Sequence, residues 1–267
     1  MGCPCTVKTV RTDTFAMDYC VFGAGERTML ILPGMSVQSV MKNADAVAEA
    51  YACFSATHTV YLLDRVREMP LRYTVEDMAH DTILAMQALG LRDADVFGAS
   101  QGGMIALRMA ISEPSMVHRL VLGSTLARQN KVSIETFDRW ASLADRGDAS
   151  ALNRDFVSRA YCEETQAAFR GYFASVESAG TPEELRRFAV LSRACREFDC
   201  FDALDRIQCP VLVLGAGEDR VLTGTASAEL SKALRCDCFL YDRFGHAVYD
   251  EAPDYKERIL NFFVGTV

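Results

Sequence analysis

Asp95-Val96-Phe97-Gly98-Ala99-Ser100-Gln101-Gly102-Gly103 leads out of a β-rich run and into an apolar helical one, with a Gly-x-Ser-x-Gly pattern at the junction. A serine on so tight a strand-to-helix turn needs side-chain-free residues two positions to either side, or strand and helix cannot approach. Gly98 and Gly102 meet that need. At average glycine usage of ~7%, with serine about as common, the bare pattern arises by chance roughly once in ten chains of this length. Its meaning therefore depends on its surroundings.

Upstream, short β-rich runs (Val7 to Val10, Phe15 to Val21, Thr28 to Leu32, His58 to Leu63) alternate with helical patterns at Val40 to Tyr51 and Thr74 to Leu89. Downstream come the helix Gln101 to Ile111 and the strand Arg119 to Gly123. This is the rhythm of βαβ units and a mostly parallel sheet, so the fold class is α/β. The first two strands are expected to form an antiparallel start. Thr74 with Asp77 three residues on opens one helix, and Gly90 closes it.

From Leu126 to Asp199 no strand-like run occurs, whereas apolar residues recur at helical spacing: Phe137, Trp140 and Leu143; Phe169, Tyr172, Phe173 and Val176; Leu185, Phe188 and Leu191. These are read first as core residues of short helices, with lining of a pocket as the second reading. Thr181-Pro182-Glu183-Glu184 is a helix start, with a hydroxyl at N-cap, proline at N1 and Glu at N3. After Pro210 the α/β rhythm resumes, with strands Val211 to Leu214 and Asp237 to Tyr241 and helices Thr225 to Leu234 and Pro253 to Phe263. The expected organisation is one core, residues 1–125 and 200–267, interrupted by a helical segment, 126–199.

A serine needs a base to take its proton, and at neutral pH that is usually histidine. Of the four histidines, His58 begins a strand, His80 lies within a helix and His118 precedes a strand. His246 instead sits in the turn Arg243-Phe244-Gly245-His246, after a strand and before the final helix. It is the candidate base. A carboxylate must orient the imidazole, and the end of the strand Val211 to Leu214 offers Asp219, preferred over its neighbour Glu218. The strand ending at Gly123 offers only Ser124 and Thr125, which cannot serve. The oxyanion that develops on a substrate carbonyl calls for backbone amides. Those expected are Gln101, at the start of its helix, and Met35, in the loop Pro33-Gly34-Met35-Ser36, where Gly34 gives the turn its freedom.

Composition is close to the average of globular proteins and suggests neither disorder nor a fibrous repeat: 267 residues, 50% hydrophobic and 24% charged. A net charge of −8 with no Lys/Arg-rich run argues against nucleic acid as partner. No apolar stretch reaches the roughly 20 residues of a membrane span, and the N-terminus lacks a secretion-signal pattern, so a cytoplasmic location is expected. The ten cysteines are scattered and read as mostly free thiols. The pairs Cys3/Cys5 and Cys236/Cys238 have a one-residue spacer, whereas structural zinc more often uses two, so no metal is expected. The start Met1-Gly2-Cys3-Pro4-Cys5-Thr6 fits a loose N-myristoylation pattern, too short to carry weight. Gly215-x-Gly217 continues to Arg220 where a dinucleotide site needs a third glycine, so no nucleotide cofactor is expected.

With the order Ser100, Asp219, His246 in place, the chain resembles the α/β-hydrolase superfamily over essentially its whole length. Gly98 to Met104 is similar to the nucleophile elbow, Ile207 to Gly215 to the approach to the acid, and Phe244-Gly245-His246 to the histidine turn. The resemblance implies an eight-stranded sheet with strand 2 antiparallel, a helical cap inserted after strand 6, and the two Cys-x-Cys pairs at opposite sheet edges. Many relatives carry His-Gly where this chain has Pro33-Gly34. Asp64-Arg65-Val66-Arg67-Glu68 does not resemble the pattern of capped aminopeptidases. The expected activity is hydrolysis of a carboxylic ester of a small, partly apolar substrate through an acyl-enzyme on Ser100. Thioesters, lactones and activated carbon–carbon bonds are reached by the same chemistry. A ligand-binding receptor that keeps the fold is the non-enzymatic alternative.

Overall fold

The structure is a computed structural model in which residues 5–265 are described. Cys3 and the start of the myristoylation-like pattern lie outside the described residues. Eight strands, β1 (Val7–Arg11), β2 (Ala16–Phe22), β3 (Arg27–Leu32), β4 (His58–Val66), β5 (Ala94–Ala99), β6 (Val117–Gly123), β7 (Val211–Ala216) and β8 (Asp237–Tyr241), form one sheet. Their order is β1-β2-β4-β3-β5-β6-β7-β8. β2 is antiparallel to both β1 and β4, and every later pairing is parallel, so strand 2 alone is reversed. β1 and β8 are the two edges, so Cys5, just before β1, and Cys236 and Cys238, at β8, lie at opposite edges; Cys3 is outside the described residues.

Side chains alternate across a strand, and buried strands feed a core on each face. Leu30, Leu32, Val96, Leu120 and Leu122 join one cluster, and Met29, Ile31, Phe97 and Val121 the other. The first face is covered by α2 (Val75–Ala88), α3 (Gln101–Ser112) and α9 (Gly224–Leu234), and the second by α1 (Ala44–Ala50) and α11 (Tyr255–Val264). Thr74 and Asp77 close a reciprocal capping box on α2, and Gly90 follows in the left-handed conformation at φ 72°. The expected helix Val40 to Tyr51 is instead a 3₁₀ turn, Val40–Asn43, followed by the short α1. Asn43 at φ −116°, ψ 20° breaks the continuous ladder, while Ser39 caps the 3₁₀ turn through the Met41 amide. A short helix before the last one, α10 (Val248–Glu251), had no strong sequence signal.

Between β6 and β7 stand five helices: α4 (Lys131–Asp145), α5 (Ala149–Ala160), α6 (Glu163–Ala168), α7 (Arg170–Val176) and α8 (Pro182–Glu197). The chain enters and leaves this insert at one neck, where Arg128 bridges Asp199 and the Cys200 amide donates to the Ala127 carbonyl at 2.8 Å. Thr181 and Glu184 form the expected capping box on α8. Phe137, Trp140, Leu143, Leu185, Phe188 and Leu191 are buried, as the helical spacing implies. Phe169 and Tyr172 are not: each is 57% exposed, because among the described residues no second layer covers that face of the short α6 and α7.

Among the described residues no helix is long and apolar enough to cross a membrane. The described cysteines are free thiols.

Candidate active site

The carboxyl ends of parallel strands lie side by side, so loops far apart in sequence meet above one edge of the sheet. Ser100 follows β5 directly, with φ 53° and ψ −118°. A side-chain-bearing residue in that region costs on the order of 1–3 kcal/mol and persists only when its neighbours fix it. They do. The Ser100 amide donates to the Gly123 carbonyl at 2.8 Å, and the Ser100 carbonyl accepts from Gly103 N at 2.9 Å and Thr125 Oγ1 at 2.8 Å.

The flanking glycines are required by contact. A Cβ on Gly98 would stand 2.5 Å from the Gly102 carbonyl oxygen, and one on Gly102 only 1.9 Å from the Leu32 carbonyl oxygen. At Gly103 an added Cβ would strike the Thr125 side chain at 2.6 Å. Thr125, unfit to be an acid, thus holds the turn from below.

His246 and Asp219 come to Ser100 from the loops after β8 and β7. His246 Nε2 lies 2.9 Å from Ser100 Oγ, and His246 Nδ1 lies 2.8 Å from Asp219 Oδ2. The other Asp219 oxygen accepts from the amides of Val221 and Leu222, both at 2.8 Å. An acceptor-only carboxylate on Nδ1 places the imidazole proton there and leaves Nε2 free to accept from the serine hydroxyl. All three side chains are buried, whereas Glu218 is exposed.

The remaining histidines lie elsewhere. His58 and His118 both hold Asp95 near the amino ends of β4, β5 and β6, at 3.1 and 2.8 Å, and His80 is exposed on α2.

Gly34 follows β3 and faces the serine: a Cβ there would meet Ser100 Cβ at 3.3 Å and the Tyr249 hydroxyl at 3.5 Å. Met35 and Gln101 are both buried, and among the described residues neither main-chain amide donates to another backbone group. Gln101 opens α3, so its amide is one of the unsatisfied donors at a helix N-terminus. Among the described residues no three His, Cys, Asp or Glu side chains are grouped to hold a metal ion.

Residues 51–253 match the family model described as alpha/beta hydrolase fold. That span is most of the chain, and it contains the serine turn, the acid loop and the histidine turn. The chain belongs to the α/β-hydrolase family. The hydrolase is similar to RutD of Agrobacterium fabrum, named a carbamate hydrolase, at 27% identity over 201 residues that cover 74% of this chain and 77% of RutD. It is 22% identical over 200 residues to the pyrrolizixenacetamide deacetylase of Xenorhabdus hominickii, covering 71% and 72% of the two chains. Among solved structures, the enol-lactonase of Burkholderia xenovorans LB400 superposes with a TM-score of 0.85 at 18% identity, over 96% of this chain and all of the other. The metagenomic α/β-hydrolase MGS-M2 from the Medee deep-sea basin gives 0.86 at 21%, over 96% and 97%. These two likenesses speak to the fold.

Sequence reading did not single out Arg65, Cys195 or Tyr249 at the candidate site. Arg65 Nη2 donates to the Pro33 carbonyl at 2.8 Å and to Gln101 Oε1 at 3.2 Å. Cys195, on α8, accepts from Gln101 Nε2 at 3.1 Å. Tyr249, three residues after His246, puts its hydroxyl beside Gly34. Burial, then the charge of Asp250, holds this phenol well above its ordinary value, so it stays protonated.

Proposed function

We propose that the chain is a serine hydrolase that cleaves a carboxylic ester of a small, partly apolar substrate through an acyl-enzyme. Ser100 Oγ attacks the carbonyl carbon while His246 Nε2 takes its proton. The same proton passes to the departing alcohol oxygen as the ester bond breaks. Water then enters, gives a proton to His246, and releases the acid as Ser100 recovers its hydrogen. Asp219 keeps the imidazole tautomer and stabilises the imidazolium. The amides of Met35 and Gln101 hold the oxyanion, and the positive end of α3 adds to them. The five-helix insert, 126–199, serves as a cap on the core 1–125 and 200–267.

What carries this reading is the unbroken chain Ser100 Oγ–His246 Nε2 and His246 Nδ1–Asp219 Oδ2, at 2.9 and 2.8 Å. These are hydrogen-bonding distances for a nucleophile, a base and the group that orients it. An intact triad argues against a receptor that merely keeps the fold, and tight reversible ligand binding with slow turnover, unaffected by Ser100→Ala, would favour it. The same machinery acts on lactones, thioesters and activated carbon–carbon bonds, and on the carbamates named for RutD. Substrate class is therefore decided by a panel of esters, thioesters, lactones and carbamates varied in acyl length, with Ser100→Ala as the blank. Turnover of at least one ester series that vanishes in the blank is expected. Equal turnover with and without the Ser100 hydroxyl would refute the acyl-enzyme.

A further inference from the structure

We propose that Arg65 is a positioning residue that braces the two oxyanion-binding segments against each other, with the Gln101 side chain tying that brace to α8. The proposal rests on the reading of Met35 and Gln101 as the oxyanion donors.

Those two amides come from different strands. The Met35 loop continues β3 and Gln101 continues β5, and in the sheet β4 lies beside β3 and β3 beside β5. Arg65, near the end of β4, reaches beneath the end of β3 to the start of α3. One nitrogen of its guanidinium, Nη2, serves both segments: the Pro33 carbonyl at 2.8 Å and Gln101 Oε1 at 3.2 Å. Proline has no N–H, so its carbonyl is the only main-chain hydrogen-bonding group through which Pro33 can be fixed. That carbonyl belongs to the peptide entering Gly34, one step before the Met35 amide.

The far end of the Gln101 side chain points to the insert. Gln101 Nε2 donates to the Leu191 carbonyl at 3.0 Å and to Cys195 Sγ at 3.1 Å, and Cys195 Sγ also lies 3.9 Å from Met35 Sδ. Both residues that supply an amide therefore lean on the same α8 side chain. Arg65, Gln101, Cys195 and Met35 are all buried.

A buried arginine kept only for stability would be expected to face a carboxylate, since an uncompensated buried charge is costly. Here the nearest acid is occupied elsewhere. Asp64 accepts from Ser39 Oγ, from Arg187 Nη2 at 2.6 Å and from the Arg65 amide at 2.7 Å. The Arg65 guanidinium instead hydrogen-bonds two neutral oxygens, its Nε has no partner among the described residues, and burial, only partly offset by the charge of nearby Asp64, pulls its ionisation down to about 10. It remains charged at neutral pH.

The test compares wild type with Arg65→Lys, Arg65→Met and Gln101→Met, which keeps the main-chain amide, and with the Arg65/Gln101 double variant. For each, kcat and KM on an ester, the affinity of a boronic acid that forms a tetrahedral adduct on serine, and Tm are measured. The expected result is a kcat loss of about 10²-fold in Arg65→Met, the size of losing one oxyanion donor. KM should stay within about threefold, boronate affinity should fall in parallel with kcat, and Arg65→Lys should be intermediate. The double variant should lose no more than the worse single, because both act on one brace. Unchanged kcat and boronate affinity with a lowered Tm would make Arg65 merely structural and overturn the brace. So would losses that multiply in the double variant. If Arg65→Met does not fold, Arg65→Lys and Gln101→Met decide by the same readouts. Fluorophosphonate labelling that persists in Ser100→Ala overturns the serine reading and the brace with it. Lost labelling with unaffected Arg65 variants overturns the brace alone.

Discussion

Adding a single methyl group at Gly102 tests whether the serine turn and the loop proposed to bind the oxyanion are mechanically linked. The Cβ of Gly102→Ala would fall 1.9 Å from the Leu32 carbonyl oxygen, 2.5 Å from its carbon and 2.7 Å from the Pro33 carbonyl oxygen. These are backbone atoms, so no side chain can swing aside. Real Cβ contacts essentially never fall below 3.0 Å, so α3 and the end of β3 must part by roughly 1 Å. Overpacking of this kind costs about 1–3 kcal/mol, and in a domain of this size each kcal/mol is about 2–4 °C in Tm. The catalytic effect should be larger, because the displaced segment leads to Gly34 and Met35, and a 1 Å misplacement can cost about 10²-fold. The assay is steady-state hydrolysis of the best ester together with thermal unfolding. The control is Gly171→Ala, where an added Cβ meets nothing within 4 Å and helix propensity favours alanine. The control should match wild type in kcat and gain slightly in stability. Gly102→Ala with kcat within twofold of wild type and an unchanged Tm would refute the reasoning.

Two further substitutions probe other links. Asp219→Asn can no longer enforce the tautomer on His246, so kcat should fall by about 10³–10⁴-fold with little change in KM; a loss below tenfold in steady-state assays would assign the acid elsewhere. At Asp95, burial raises the carboxyl's ionisation, but hydrogen bonds from His58 and His118 and the charge of Arg27 outweigh it, so the folded value lies below the ordinary one. A depressed carboxylate stabilises fully above its ordinary range near ~4 and loses that contribution as pH falls through the folded value. Thermal melts of wild type should therefore drop more steeply below about pH 4 than those of Asp95→Asn. At pH 7 the variant should be less stable by on the order of 3 kcal/mol; parallel curves would show that Asp95 is not the linked group.

The parts of the candidate site legible in the sequence are those written in local backbone demands. Gly98 and Gly102 announce a close approach because nothing larger fits. Phe244-Gly245-His246 falls in a turn between a strand and a helix, and Asp219 follows an apolar strand. The α/β alternation gave the sheet, and Thr74 and Thr181 marked two helix starts to the residue. What was hidden depends on strand order. The contacts of Arg65 with Pro33 and Gln101 exist because β4, β3 and β5 are neighbours, and no spacing along the chain encodes that. The link from Gln101 to Cys195 crosses to the insert. Likewise Phe169 and Tyr172 carry the helical period of core residues, but the period does not say whether a second layer will be there to cover them.

The central claim is that Ser100 is the nucleophile and His246 its base. It is tested most directly by treating the protein with a fluorophosphonate and mapping the adduct by mass spectrometry of proteolytic fragments. One adduct on the peptide containing Ser100 is expected, absent in Ser100→Ala and formed at least about 10²-fold more slowly in His246→Ala, which lacks the general base. An adduct on a different residue, or undiminished labelling of Ser100→Ala, would contradict it.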